Sequence, residues 1–180
     1  MLRTRPGART LGTEAFSPQR PIKRTPGMKS LFNPADKREL LTRLQSVSPT
    51  SKGRWGKMSA HQMVCHLADA FRLYMGLMAV RPVSVPYPRV LLKWTALWAP
   101  IPWPRGFKTA PELDQEAGGT RPAMFDEDVR ALHTLIERFT RQPKDFHCPP
   151  SHPHLGKMTT TDWRRLAYLH TDHHLRQFGA

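Results

Sequence analysis

His170 and His174 stand one helical turn apart near the end of the chain, in Leu169-His-Thr-Asp-His-His-Leu-Arg-Gln-Phe178. Side chains at i and i+4 share a helix face, so one metal ion can sit between the two rings. Far upstream, His66 follows a segment that partly repeats the one leading into this pair. Trp55-Gly-Lys-Met-Ser59 and Leu155-Gly-Lys-Met-Thr159 share Gly-Lys-Met-[Ser/Thr], with Met58 and Met158 standing 100 residues apart. Each copy puts a hydroxyl N-cap in front of a helix. Counted from those caps, His66 lies 7 residues in, His170 lies 11 in and His174 lies 15 in. These steps are close to two, three and four turns at about 3.6 residues each, so the three histidines share an azimuth relative to their caps. A third imidazole beside the pair would complete a facial three-nitrogen set with positions left open for water or substrate. Spacing alone also admits a structural role. Buried imidazoles need partners, because an unpaired buried polar group costs about 1–3 kcal/mol, and backbone or carboxylates such as Asp69 and Asp172 would serve.

The other polar candidates read as bystanders. His173 points off the stripe that carries His174 and is expected at the surface. His61, in the first turn of its helix, is expected to be solvated. Cys65 adjoins His66 but lies about 100° around the helix, which suits a buried structural thiol. His147, Cys148, His152 and His154 imitate zinc spacing, but Pro149, Pro150 and Pro153 constrain that loop. Asp69 and Asp172 either orient imidazoles or form salt bridges with surface arginines.

Four amphipathic helices must position these residues. The first opens at Asn33-Pro34, an N-cap followed by proline at the first helical position, and is expected to reach Val47 with Leu40, Leu41, Leu44 and Val47 as its stripe. The second starts at Ser59, where Ser-Ala-His-Gln62 fits a capping box. Its apolar face is Met63, Leu67, Ala70, Phe71, Tyr74 and Leu77, ending before Pro82. A long crossover over 81–121 holds a short Trp-rich helix at about 88–98, with Trp94, Trp98 and Trp103 forming a lid or packing flap. The third helix spans about Ala123 to Thr140, with Asp126, Glu127 and Asp128 at its N-terminal end as the macrodipole favours and Val129, Leu132, Leu135, Ile136 and Phe139 as its stripe. The fourth runs from Thr159 or Thr160 to about Phe178, with Trp163, Ala167, His170, His174 and Phe178 on one face. No strand pattern competes. The fold class is all-α, a four-helix bundle in which a metal site can form between facing helices.

The 180 residues suit one domain. Charge is strongly basic, 28 Lys and Arg against 14 Asp and Glu. Residues 1–27 hold six basic side chains and one acid, a net +5, and read as a disordered Arg- and Pro-rich tail. That tail resembles an organellar transit peptide in charge, but Met28 reads as the natural start and 28–180 as the domain. The remaining excess forms no block and no recognition motif accompanies it, so neither nucleic acid nor membrane is expected as a partner. Two cysteines make no disulfide framework, which points to a reducing, cytoplasmic compartment. Val83–Trp103 is the most apolar window, but prolines, Arg89 and Lys93 exclude a membrane span.

Trp55-Gly-Lys-Met-Ser-Ala-His-Gln-Met-Val-Cys-His66, Gly-Gly-Thr-Arg-Pro122, His152-Pro-His-Leu-Gly156 and the segment from Trp163 through Phe178 together resemble the DinB/YfiT-like superfamily. The resemblance covers about residues 28–180 and is closest to a bacterial branch known as a domain of unknown function. It implies an up-down-down-up four-helix bundle and a divalent metal held by His66, His170 and His174, with zinc or nickel ahead of iron and manganese. Leu155 stands where phenylalanine is more usual, which touches the pocket and leaves the ligands alone. Characterised relatives include thiol-dependent S-transferases and an isomerase using low-molecular-weight thiols.

Three neutral imidazoles leave the full charge on a metal, so a bound water or thiol is acidified. No clear protein nucleophile stands in the chain. The expected function is therefore a metal-dependent transferase using a low-molecular-weight thiol on a small-molecule substrate. The alternatives are a metal-dependent hydrolase and a non-catalytic metal-binding or structural bundle. A homodimer is compatible with either.

Overall fold

A computed structural model of the chain describes residues 28–143 and 146–180. Five α-helices dominate it: α1 (Pro34–Gln45), α2 (Ala60–Tyr74), α3 (Arg89–Leu97), α4 (Phe125–Thr140) and α5 (Thr160–Gln177). Their starts are written in side chains that satisfy otherwise unpaired N–H groups. Asn33 Oδ1 accepts from the backbone of Ala35 and Asp36, with Pro34 following it. Both copies of the repeated segment end in reciprocal capping boxes. Ser59 Oγ accepts from Gln62 N at 3.1 Å while Ser59 N donates back to Gln62 Oε1 at 2.8 Å. Thr159 and Asp162 make the same exchange at 3.1 and 2.9 Å. The glycine of each copy is left-handed, Gly56 at φ +79° and Gly156 at φ +69°, a conformation that costs other L-residues about 1–2 kcal/mol.

Helix α2 is the central element, packing on both α4 and α5, while α1 and α3 pack on α5. Twelve of its fifteen residues are buried; a helix apolar most of the way round has nowhere to go but the interior. The α1 and α4 stripes supply Leu40, Leu44, Leu132, Ile136 and Phe139 to the same core. Aromatic edges interlock there: Phe71, Tyr74 and Phe139 meet at ring centroids 5.4–6.0 Å apart, and Trp163 packs on Tyr74 at 5.3 Å. Lys37 on α1 joins Glu137 on α4 at 2.9 Å. No helix among the described residues is long and apolar enough to cross a membrane.

Three expectations need correction. Helix α2 stops at Tyr74 rather than near Pro82. Gly76 turns the chain at φ +70°, with its N–H donating to Leu73 O and Leu77 N to Arg72 O. Leu77 is consequently half exposed and off the core face. Helix α1 likewise ends at Gln45, although Val47 still enters the core. A short antiparallel pair, β1 (Ser151–His152) and β2 (Gly156–Lys157), forms where no strand was expected. Its turn is held by His152 Nδ1, which accepts from the backbone of His154 and Leu155 at 3.2 Å each.

The crossover from α2 to α4 is tied down at both ends. Buried Asp69 accepts from Thr120 N, Thr120 Oγ1, Gln115 Nε2 and Arg72, pulling the later part of the crossover onto α2. Helix α3 is clamped by basic side chains that reach carbonyls across the fold. Arg89 donates to Pro153 O and Val83 O, Lys93 to Lys157 O, and Arg165 to Leu97 O.

Candidate metal centre

The three histidines predicted from spacing come together. His66 on α2 and His174 on α5 are buried, and His170 is partly so. His170 Nε2 lies 3.1 Å from His66 Nε2 and 3.0 Å from His174 Nε2, so three ring nitrogens converge on one point. Helix α2 packs on α5, which brings the three together.

Each ring is also held by its outer nitrogen. His66 Nδ1 lies 2.8 Å from Leu113 O. A carbonyl only accepts, so this nitrogen carries the proton and Nε2 presents a bare lone pair. Gln177 Nε2 donates to Trp55 O at 2.8 Å, which turns its Oε1 toward His174 Nδ1 at 2.8 Å. His174 must then donate from Nδ1, and its Nε2 is bare as well. His170 Nδ1 meets the Tyr74 hydroxyl at 2.7 Å. With bare lone pairs on both neighbours, His170 Nε2 carries the one proton at the centre and Tyr74 donates to Nδ1.

Burial sets the charge state. Desolvation holds His66 below its ordinary imidazole value. It holds His170 and His174 well below theirs, with the neighbouring imidazoles adding to the effect. All three are therefore neutral near pH 7, the form in which imidazole ligates metals. Nitrogen donors with fixed outer partners suit a divalent ion, and the trio is a group that can hold one.

Tyr74, Gln177 and Leu113 were not singled out by sequence reasoning. The apolar face of α2 includes Tyr74, which sits in the core with its hydroxyl as the polar tip. Gln177 lies at i+3 from His174, a spacing that could have suggested contact. The Leu113 carbonyl has no sequence signal, because it depends on a 3₁₀ turn at Pro111–Leu113 in the crossover.

His173 is not at the surface as expected. It is half-buried, between the rings of Trp103 at 5.5 Å and Trp55 at 5.7 Å, and its ring nitrogens do not join the trio. Of the three flap tryptophans, Trp103 alone covers the histidines. Its ring lies 5.9 Å from that of His170, and its indole donates to Ala96 O. Trp94 and Trp98 remain exposed.

His61 is not freely solvated either. Its Nε2 meets Asp128 Oδ2 at 2.7 Å, and Cys65 lies within reach of both. Burial, then Asp128, pushes the Cys65 thiol up to about 12. Asp128 also accepts from Ala123 N, so this second trio holds a protonated thiol and acts as a clasp between α2 and α4. Asp69 and Asp172 act as ion-pair partners and touch no imidazole; Asp172 takes Arg43 at 2.7 Å and Arg176 at 2.9 Å. In the loop, His152 is committed to the backbone of its own turn, so the zinc-like spacing there gathers no ligand set.

No curated protein and no solved structure matches this chain. The family model of the DinB superfamily matches residues 11–178, which takes in all of the helices and the three histidines and begins inside the segment 1–27 that lies outside the described residues. The chain belongs to the DinB superfamily.

Proposed function

We propose that His66, His170 and His174 hold one divalent metal ion and that the protein is a metal-dependent transferase working with a low-molecular-weight thiol. The observation that carries the first half is the pair of fixed tautomers. Leu113 O and the Gln177–Trp55 link leave His66 and His174 with lone pairs aimed at each other's neighbourhood, and only the His170 proton keeps the centre from being three facing lone pairs. His170 can release that proton position, because Tyr74 can accept from Nδ1 as well as donate to it. The four long helices α1, α2, α4 and α5 would form the up-down-down-up bundle around this centre.

A divalent ion held by His66, His170 and His174 would keep its full charge and would supply the Lewis acidity that lowers the pKa of a thiol. The chain's own residues do the rest. Trp103 lies over His170 and His173 and walls the centre on that side. Tyr74 and Gln177 hold two of the rings in place. Cys65, its thiol protonated in the clasp with His61 and Asp128, is no nucleophile, which favours a nucleophile brought in from outside. Imidazole donors accept zinc, nickel, iron and manganese.

Metal analysis of the purified protein tests the first half. Stoichiometric divalent metal is expected, with a chelator lowering the melting temperature of the wild type but not of His66→Ala or His174→Ala. Metal-free protein with chelator-insensitive stability would sink the reading. A screen of thiols against electrophiles, with the same two variants as controls, tests the second half. Hydrolysis without thiol would replace the transferase with a hydrolase, and no turnover at all would leave a metal-binding bundle.

A further inference from the structure

A cavity of about 410 Å³ opens between the Trp103 segment and α5. Trp55, Trp103 and His173 wall it, and the same rings connect it to the histidine centre. Trp103 packs on His170, the His173 ring lies 5.2 Å from that of His174, and the Trp55 carbonyl anchors the Gln177 that holds His174. The cavity and the centre therefore share an inner wall.

Its charge is one-sided. Four arginines, Arg54, Arg105, Arg165 and Arg176, line it against one carboxylate, Asp172. Asp172 is already shared by Arg43 and Arg176. Arg165 donates to the carbonyls of Leu97 and Lys29. Arg54 and Arg105 have no carboxylate or carbonyl acceptor for their guanidinium groups among the described residues. Arg105 lies over the Trp55 ring at 4.8 Å, and Arg54 rests against Gly179. Two cations without an acidic partner that line an aromatic cavity gain from an anion bound there. A guanidinium fork is also the side chain best shaped to take carboxylate or phosphate.

We propose that this cavity takes a small molecule with an apolar or aromatic body and an anionic group, the body packed on Trp55 and Trp103 and the anion held by Arg54 and Arg105. This names the substrate class of the same site and takes its catalytic meaning from the transferase reading, while the selection for an anion stands on the cavity alone.

The probes are 1-naphthoate and its neutral counterpart 1-naphthamide, titrated into the full-length protein with binding read by calorimetry and by quenching of tryptophan fluorescence. Each titration is run on metal-loaded and chelator-treated protein. Naphthoate is expected to bind about tenfold more tightly than the amide, the worth of one charge-assisted contact. Arg54→Ala and Arg105→Ala should each weaken naphthoate by about that factor and leave naphthamide unchanged. Both side chains are exposed, so the variants should fold with wild-type melting temperatures. Arg130→Ala, an exposed cation on α4 away from the cavity, should change neither probe. Equal affinity for the two probes, no binding of either, or an equal loss in Arg130→Ala would overturn the proposal. So would an anion preference that survives both arginine substitutions and vanishes in His174→Ala, since the anion would then sit on the metal. Anion preference in a protein that holds no metal would support the cavity assignment while removing the transferase reading.

Discussion

Gln177 shows how a single amide can decide the state of a ring it merely touches. Its NH₂ group is committed to Trp55 O, so its oxygen must face His174, and that choice fixes which imidazole nitrogen stays bare. Gln177→Leu removes the acceptor and leaves His174 Nδ1–H without a partner. Loss of such an orienting contact typically costs 10–100-fold in metal affinity, so competition with a chromogenic chelator should show a drop of about that size. Tyr74→Phe keeps the packing in the aromatic core and deletes only the hydroxyl. The same competition should show weaker metal binding with a melting temperature close to wild type once metal is removed. Unchanged metal affinity in both variants would mean that the outer partners do not set the rings. Cys65 gives a separate test at this scale. With its thiol pushed up to about 12 and the side chain buried, it should resist alkylation by iodoacetamide at pH 8 in native protein and react once the chain is unfolded. Rapid labelling of Cys65 under native conditions would count against the clasp with His61 and Asp128.

At the scale of elements, the repeated Gly-Lys-Met-[Ser/Thr] segment is a helix-start device used twice. It sets a left-handed glycine, then a capping box, and thereby the azimuth of the histidines that follow. The two glycines face different neighbours, which separates their predicted effects. A Cβ on Gly156 would press on the Arg89 side chain at 3.2 Å, whereas one on Gly56 would come within 2.9 Å of Gln177 Nε2. Both alanine variants should lose about 1–2 kcal/mol from the left-handed backbone, measured by denaturant unfolding. Only Gly56→Ala should also weaken metal binding, because it displaces the amide that orients His174. Equal metal affinity in the two would break that link. The device was legible because its parts are local: a cap, a spacing and a count of turns. Where α2 ends was less so, since the apolar pattern continues to Leu77 while Gly76 has already turned the chain. Trp103 was legible as part of a flap, but its rank over Trp94 and Trp98 depends on how the crossover folds back onto α5. The contacts at 81–121 are long-range, so no periodicity encodes them, and for the same reason the Leu113 carbonyl and the arginine-rimmed cavity had no signal in the sequence.

Across the whole molecule, burying neutral imidazoles makes the fold sensitive to acid. His66, His170 and His174 are held down chiefly by desolvation, and burial, then the neighbouring His154, takes His152 from the ordinary 6.5 to about 3. In the unfolded chain these rings titrate near 6.5, so between that value and their lower folded values the unfolded state binds more protons. Stability therefore rises with pH across this window. The contribution is complete above the unfolded value and is lost as pH falls through 6.5 toward the folded ones, a window that for His152 extends down to about 3. Metal-free protein should show a melting temperature that is nearly level above about pH 6.5 and declines from there toward pH 5, with the metal leaving the loaded form as its ligands take up protons. The basic chain adds a competing cause, because 28 Lys and Arg against 14 Asp and Glu already repel at neutral pH and gain positive charge on acidification. His152→Gln distinguishes the two. Its amide oxygen can still accept from the turn, but it cannot protonate, so the decline should become shallower while net charge at pH 7.5 is unchanged. An identical slope in His152→Gln would assign the acid sensitivity to overall repulsion, and a flat melting temperature in the wild type would show that the buried imidazoles are not held neutral at all.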